Sequence, residues 1–557
     1  MARILTIVVA IAAVLGAGLY VKSSKNDEDK PSTTTTATEP AKNAVTLTMV
    51  VSPEKEALLK PLVAQFNAAQ TDARPTFVKL RAQNSGDTEA AIARGSEKPD
   101  VWSPASAFWG RLLNLQADKA YVADENPSIV RTPLVIAVWE PMAQALGWPK
   151  KQISFDQIVK LATAPDGWAS AGKPQFGKFK YVHTNPDSST SGASAVTGSY
   201  YAFVNKKEGL TEADVAKAAP KVKELERAIV HYGDSTLFIE DQLCKGGLAY
   251  ASAAAMEETT VIDFNRRKCR SDKLVAMYPT EGSFVSDSPY IVLNADWVTP
   301  EKKAGAAAFQ KFLAEKVTPE MAGKYGFRPG DPEATPSGLV TADNGADPAQ
   351  PRRVLSLPTP QVLNNVLETW RRDRKPANVE LVLDNSGSMA DEDKLQHAKD
   401  GLVAFFKQVA PQDEIGLAKF SARVSSLVPP APYRKNKAEL DTAIADIIPE
   451  DDTSIYDALV YGVDTVKQRA DAEHINAVVV LTDGEDTHSS NTRRSALARL
   501  QQEGESESGG VRVFTIAYGR DAHEDELNEF ATASGGKGFK ASTDDIESVY
   551  RSISSFF

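Results

Sequence analysis

At 557 residues, 42% hydrophobic and 25% charged, the chain has globular composition but is too long for one ordinary core, so two or three domains are expected. A net charge of −11 with no basic block excludes nucleic acid as a natural partner. Six histidines and two cysteines leave little material for zinc or thiol chemistry.

Ile4–Val21 is an uncharged apolar run between Arg3 and Lys22. It is long enough to span a bilayer and exceeds the usual signal-peptide core. Residues 1–22 are therefore expected to be a signal-anchor that stays in the membrane. Cleavage is the alternative, with Gly16-Ala17-Gly18 as the nearest approach to a small-x-small site. No cysteine follows the run, which excludes a lipoprotein anchor. Residues 23–44 carry Thr33–Thr36, Pro31 and Pro40 with almost no apolar side chains, so they are expected to form a disordered tether. The extreme N-terminal position, the stalk and the cysteines place the domains downstream outside the cell or in a periplasm.

Residues 45–350 alternate strand-like and helix-like stretches. Strands are expected at Thr46–Val51, Thr76–Leu80, Leu134–Trp139, Phe179–His183, Lys273–Tyr278 and Tyr290–Leu293. Helices are expected after Ser52-Pro53 and at Ser106–Leu115, Phe155–Ala162, Gly192–Val204, Ala216–His231 and Pro300–Leu313. That alternation predicts parallel sheets with helices on both faces, and the length suits two lobes. Asp100-Val101-Trp102-Ser103-Pro104-Ala105-Ser106, the stretch His183–Gly192 and Tyr278-Pro279-Thr280-Glu281-Gly282 resemble bacterial extracellular solute-binding proteins of the periplasmic type II class. The resemblance implies a small solute held in a cleft between lobes by helix N-termini. Three Ser/Thr-rich turns suit that role: Ser52, Ser103 with Ser106, and Thr190 with Ser191. The same hydroxyls also suit plain helix capping, and both readings stand. Cys244 and Cys269 lie in one local segment. In an exported chain they are expected to pair, closing a loop worth about 3 kcal/mol; in a cytoplasmic one they would be free thiols.

Residues 351–375 hold a helix from about Thr359 to Asp373, with Leu367 and Trp370 as packing residues, and then a short link. So short a connection implies that the flanking domains keep a fixed relation. In residues 376–557, Val379–Leu383 and Ala477–Leu481 are Val- and Leu-rich runs of the kind found in doubly buried parallel strands. Asp384-Asn385-Ser386-Gly387-Ser388 follows the first run, and Thr482-Asp483-Gly484 follows the second. Open α/β sheets place ligands at those strand ends. Asp384, Ser386, Ser388, Thr453 and Asp483 offer only oxygen, the donor set that hard cations prefer.

This region resembles a von Willebrand factor type A domain, and the five residues match its metal-ion-dependent adhesion site. The resemblance implies a doubly wound Rossmann-like fold, with Mg²⁺ (or Mn²⁺ or Ca²⁺) completed by an acidic side chain from a protein partner. Asn385 stands where an aliphatic residue is usual, and Asp451-Asp452 where small residues commonly precede the threonine. No Gly-x-x-x-x-Gly-Lys-Ser/Thr loop, Gly-x-Ser-x-Gly elbow or His-Glu-x-x-His pair occurs. The expectation is a membrane-tethered binding protein without catalytic residues, the alternative being the solute-binding component or sensor of a transport system.

Overall fold

The computed structural model describes residues 39–69, 75–506 and 509–557. The expected anchor and residues 23–38 of the expected tether lie outside them. Among the described residues, no helix is long and apolar enough to cross a membrane.

The first lobe contains β1 (Val45–Val51), α1 (Glu56–Ala68), β2 (Thr76–Ala82), α2 (Ser85–Ala93), β3 (Val101–Ser103) and α3 (Ala107–Ala117). The chain then passes into a second lobe built from β4 (Val130–Trp139), α4 (Phe155–Thr163), β5 (Tyr181–Thr184), α5 (Thr190–Val204), α6 (Glu212–Arg227), β6 (Ile229–Gly233), α7 (Thr236–Gly246), β7 (Ala253–Glu257), α8 (Glu258–Arg267), β8 (Leu274–Met277) and β9 (Val285–Ser286). It returns with β10 (Ile291–Val292) and α9 (Pro300–Lys316) to complete the first lobe, and β11 (Arg328–Pro329) closes the edge of the second.

The first sheet has the order β10-β3-β1-β2, and β1 runs parallel to both of its neighbours. The second has the order β11-β4-β7-β5-β6, with β8 and β9 also on β4. The parallel sheets expected from the sequence are in fact mixed. β10 is antiparallel to β3, and β4 is antiparallel to every partner it has among the described residues. Alternation of strands with helices does not reveal direction when a long strand such as β4 serves several partners. The expected helix Ala216–His231 starts earlier and stops at Arg227, and His231 lies inside β6. A capping box on Thr211 fixes its start, and the β-branched pair Ile229-Val230 carries the chain into a strand. Cys244 and Cys269 are disulfide-bonded, with Cα atoms 5.5 Å apart.

Direct hydrogen bonds join the two lobes. Gly86 N–H donates to Ser188 O (2.9 Å), Asn84 Nδ2 to Asp234 O (2.9 Å) and Trp109 Nε1 to Thr190 Oγ1 (2.7 Å), each bond crossing from the first lobe to the second. Gly86 has no side chain for a steric reason. A Cβ there would overlap the carbonyl oxygen of Asp187 and lie 2.7 Å from Cη2 of Trp109.

Helix α10 (Pro360–Asp373), capped by Thr359 Oγ1 on the Val362 N–H, follows the lobes. Three residues later the last domain begins: β12 (Ala377–Asp384), α11 (Lys394–Phe406), β13 (Glu414–Phe420), β14 (Val424–Pro432), α12 (Tyr433–Asp446), α13 (Ile455–Lys467), β15 (Ile475–Thr482), α14 (Arg493–Gly504), β16 (Arg512–Tyr518), α15 (Glu524–Ala533), β17 (Gly538–Ala541) and α16 (Ile546–Ser554). Its sheet has the order β14-β13-β12-β15-β16-β17 and is parallel except for β14. All residues of β12 and β15 are buried, as their apolar runs require when helices cover both faces.

One residue of β12 breaks the pattern. Glu380 is fully buried, and neither carboxylate oxygen has a hydrogen-bond partner. Its neighbour in register is Gly416, whose missing side chain leaves the space that the carboxylate occupies. Burial pushes its pKa up from 4.5 to about 8.

Two outcomes follow from these packing facts. Because the folded pKa of Glu380 is raised, its favourable contribution is complete below about pH 4.5 and is lost as pH rises through about 8. Glu380→Gln should match the parent near pH 4.5 and exceed it above pH 8 by on the order of 4 kcal/mol in denaturant unfolding. Equal pH dependence in the two proteins would show that the carboxyl finds solvent. Gly86→Ala forces a methyl group into the lobe interface and should cost about 2 kcal/mol in the same measurement. Unchanged stability would mean that the lobes part freely there.

Candidate functional site

The carboxyl ends of β12 and β15 bring together the residues singled out in the last domain. Asp384 is the final residue of β12 and is fully buried. Its Oδ1 accepts the Ser386 N–H (2.7 Å), and its Oδ2 accepts the Thr482 hydroxyl (2.6 Å) from the end of β15. Ser386 Oγ and Ser388 Oγ stand 3.2 Å apart, and Ser388 Oγ donates to Asp483 Oδ1 (2.7 Å). Thr453 arrives from the loop before α13, where Asp452 holds a left-handed conformation. Thr453 Oγ1 and Ser388 Oγ approach Gly484 from opposite parts of the chain: a Cβ built there would lie 3.8 and 3.9 Å from them. The Thr453 loop is pinned in turn, since Thr487 and His488 N–H groups donate to Thr453 O (2.8 and 3.0 Å).

Electrostatics supports a cation at this point. Asp384 and Asp483 are buried to 0% and 1% exposure, and burial raises the Asp384 pKa to about 6 against the pull of the Thr482 and Ser386 bonds. Among the described residues, the cationic side chain bonded to the cluster is Lys394, whose Nζ donates to Asp483 Oδ2 (2.7 Å). Two carboxylates against one ammonium leave a buried negative excess, while three hydroxyl oxygens stand beside it. Among the described residues, no group of three or more His, Cys, Asp or Glu is placed to hold a metal ion; the donors gathered here are two carboxylates and three hydroxyls, all oxygen. On that count the five residues fit a hard divalent cation.

Two residues of the cluster escaped the sequence reading. Lys394 opens α11 and looks like an ordinary helix lysine in sequence; its only signal is that it is the first lysine after the Asp-x-Ser-x-Ser run. Asn385 looked like a departure from the family pattern but is fully buried. Its Nδ2 donates to Ile448 O (2.8 Å) and its backbone carbonyl accepts the Glu450 N–H (2.7 Å), so it ties the loop leading to Thr453 onto the end of β12.

The hydroxyls singled out in the lobes do not share one place. Ser52 and Thr190 line a void of about 20 Å³ together with Ser235, Thr236 and Glu257. Ser106 caps α3 by accepting the Phe108 N–H (3.3 Å). Ser103 is buried with an unpartnered hydroxyl, and Ser191 Oγ lies within the second lobe, 2.8 Å from Thr184 Oγ1 and 3.0 Å from Thr236 Oγ1. Sequence reasoning missed Lys55, which is completely buried. Its Nζ bonds to Ser52 Oγ and donates to Pro104 O (3.0 Å), and burial lowers its pKa. Glu257, raised to about 7 by burial, accepts the Thr236 hydroxyl (2.9 Å) across the void. A volume of about 20 Å³ has room for one water molecule.

Comparison with known proteins agrees with this architecture. The von Willebrand factor type A domain profile matches residues 378–552, and the bacterial extracellular solute-binding protein profile matches residues 47–328. The uncharacterized protein Rv1836c of Mycobacterium tuberculosis is 24% identical over 341 residues, which is 60% of this chain and 48% of that protein. The chain thus spans about half the length of that relative. Inter-alpha-trypsin inhibitor heavy chain H4 of Homo sapiens is 29% identical over 170 residues, 29% of this chain and 18% of that protein. Among solved structures, a periplasmic thiamin binding protein is 12% identical with a TM-score of 0.43, covering 60% of this chain and 98% of its own. A von Willebrand factor type A protein from Catenulispora acidiphila is 18% identical with a TM-score of 0.29, covering 32% and 42%. Two lobes joined through mixed sheets, followed by a mainly parallel sheet with an oxygen-rich cluster at its carboxyl end, therefore place the chain in the bacterial extracellular solute-binding protein family, with a von Willebrand factor type A domain behind the lobes.

Proposed function

We propose that the protein is an exported, membrane-tethered binding protein whose last domain docks a protein partner through a divalent cation. The observation that carries this reading is the convergence of Asp384, Ser386, Ser388 and Asp483 into one hydrogen-bonded cluster, with Thr453 beside it. Those five residues would hold Mg²⁺ (or Mn²⁺ or Ca²⁺), which when bound supplies a positive centre with room for a partner's carboxylate. Thr482 and the Ser386 N–H hold both oxygens of Asp384 in place, and Asn385 holds the loop that brings Thr453 in. Lys394 stabilises Asp483 while no other cation is near. The matched families are binding and adhesion types rather than enzyme families.

A second reading makes the lobes the solute-binding component or sensor of a transport system, with the last domain recruiting partners. The family match over residues 47–328 favours it. The void that Ser52 and Thr190 line would then take a solute larger than water only with the lobes apart.

Calorimetry on the full chain should show binding of Mg²⁺ or Mn²⁺ that Asp384→Ala abolishes, and a cation at about a hundredfold its Kd should add roughly 2.7 kcal/mol of stability. Undiminished binding in Asp384→Ala would move the cation elsewhere. Lys394→Met removes the competing ammonium and should tighten binding about tenfold, which is about 1.4 kcal/mol. Weaker binding in that variant would instead make Lys394 the residue that aims Asp483.

A further inference from the structure

The closed lobes are gripped from outside by parts of the chain that follow them. Helix α10 lies against both. Leu363 and Leu367 join the first-lobe cluster around Trp102 and Trp109, whereas Val362, Val366 and Trp370 join the core that includes the second lobe. Trp370 Nε1 also donates to Glu226 Oε2 (2.7 Å), a buried carboxylate that accepts the Tyr232 hydroxyl (2.8 Å) as well. One helix therefore has its apolar side in two bodies that would have to separate for the cleft to open.

Two of the bonds that cross between lobes sit beside an ion pair to this outer grip. Ser188, the acceptor for Gly86, follows Asp187, whose two oxygens take both arms of Arg371 on α10 (2.8 and 2.8 Å). Asp234, the acceptor for Asn84, pairs its carboxylate with Lys537 of the last domain. Asp234 directly precedes α7, and Phe238 on that helix meets Phe556 of the last domain edge-on, with ring centroids 4.9 Å apart. The lip of the second lobe is thus bonded to the first lobe on one side and to α10 and the last domain on the other.

We infer that α10, anchored to the second lobe by the C-terminal domain, is a strap that holds the two lobes shut, so that the cleft is opened by releasing the strap. The apolar part of the contact sets its direction, and the Arg371–Asp187 and Lys537–Asp234 pairs act as latches. Those pairs are half-exposed on the basic side, at 45% and 36% of the side chain. Charge reversal there disturbs the latch without emptying a core.

Pulsed dipolar spectroscopy on the full chain tests this. Spin labels at Lys60→Cys on α1 and Lys217→Cys on α6 report the lobe separation; both positions are exposed, and the two native cysteines are already bonded to each other. With the strap intact, one narrow distance is expected. Arg371→Glu with Lys537→Glu should add a second, longer population that makes up at least a tenth of the molecules. Adding Asp187→Arg to that double variant rebuilds the first pair with reversed sign and should return most of that population to the short distance. A double reversal that leaves the narrow distance untouched overturns the strap, as does a second population already present in the parent. Failure of the swapped pair to recover the short distance would also overturn it, because the opening would then reflect general loosening.

Discussion

Everything beyond the individual domains depends on the burial of one helix on two sides. Helix α10 is 14 residues long, and six of them are buried. Its apolar stripe is too wide for a single partner, and the structure divides it between lobes. Such a helix cannot stay with one lobe when the other leaves, because the departing lobe would expose Leu363 and Leu367 or else Val362, Val366 and Trp370. Exposing even two leucine-sized side chains costs about 3–6 kcal/mol, which is comparable with the whole stability of many domains. The ion pairs at the lips are smaller than that, yet the closed state leads the open one only by a net margin, so reversing both pairs is enough to bring the open state into view.

The cluster at the ends of β12 and β15 rests on a different balance. Burying two carboxylates a few ångströms apart is unfavourable unless each is satisfied. Here Asp384 is satisfied by a hydroxyl and a backbone N–H, and Asp483 by a hydroxyl and an ammonium. The arrangement is closed among its own members, yet it keeps one more negative charge than positive. The Lys394–Asp483 bond is the weak point of that closure. Among the described residues it is the contact in the cluster made by a long, flexible side chain.

What could be read from the sequence divides along the same line between local and relational facts. Asp384, Ser386 and Ser388 were legible because one strand end and one turn determine their places, and Asp483 because a second strand end fixes it in register. Cys244 and Cys269 were legible for a similar reason, being the only two candidates and close in sequence. Lys394 and Asn385 were not, since a single polar residue carries no periodic signal. The lobe hydroxyls show the limit most clearly. Ser52 and Thr190 do meet at the void, but nothing in their local sequence says that Trp109 from the opposite lobe already donates to Thr190. The first three residues of the strand Ile229–Gly233 fall within the expected helix Ala216–His231, since a short apolar run after a helix carries no sign of where the strand begins. Tertiary pairing with β5 then decided the matter.

The two halves of the molecule are also joined more tightly than a linker would require. Between α10 and β12 lie only Arg374, Lys375 and Pro376, and each of the first two is anchored. Arg374 forks onto Asp413 (3.2 and 2.6 Å), the same carboxylate that accepts the Ala377 N–H (2.9 Å) at the start of β12. Lys375 reaches back to Ile229 O in the second lobe (2.9 Å). These are buried bonds to charged groups, each of the order of 1.5–3 kcal/mol, and they leave the junction little freedom to hinge. The strand that begins there ends at Asp384. Helix α10 and the residue on which the oxygen cluster is built are therefore joined by ordered, hydrogen-bonded backbone and not by a flexible tether. In this chain the connection between cleft and cluster is a continuous run of helix, anchored turn and central strand, and its stiffness follows from where Arg374 and Lys375 make their bonds.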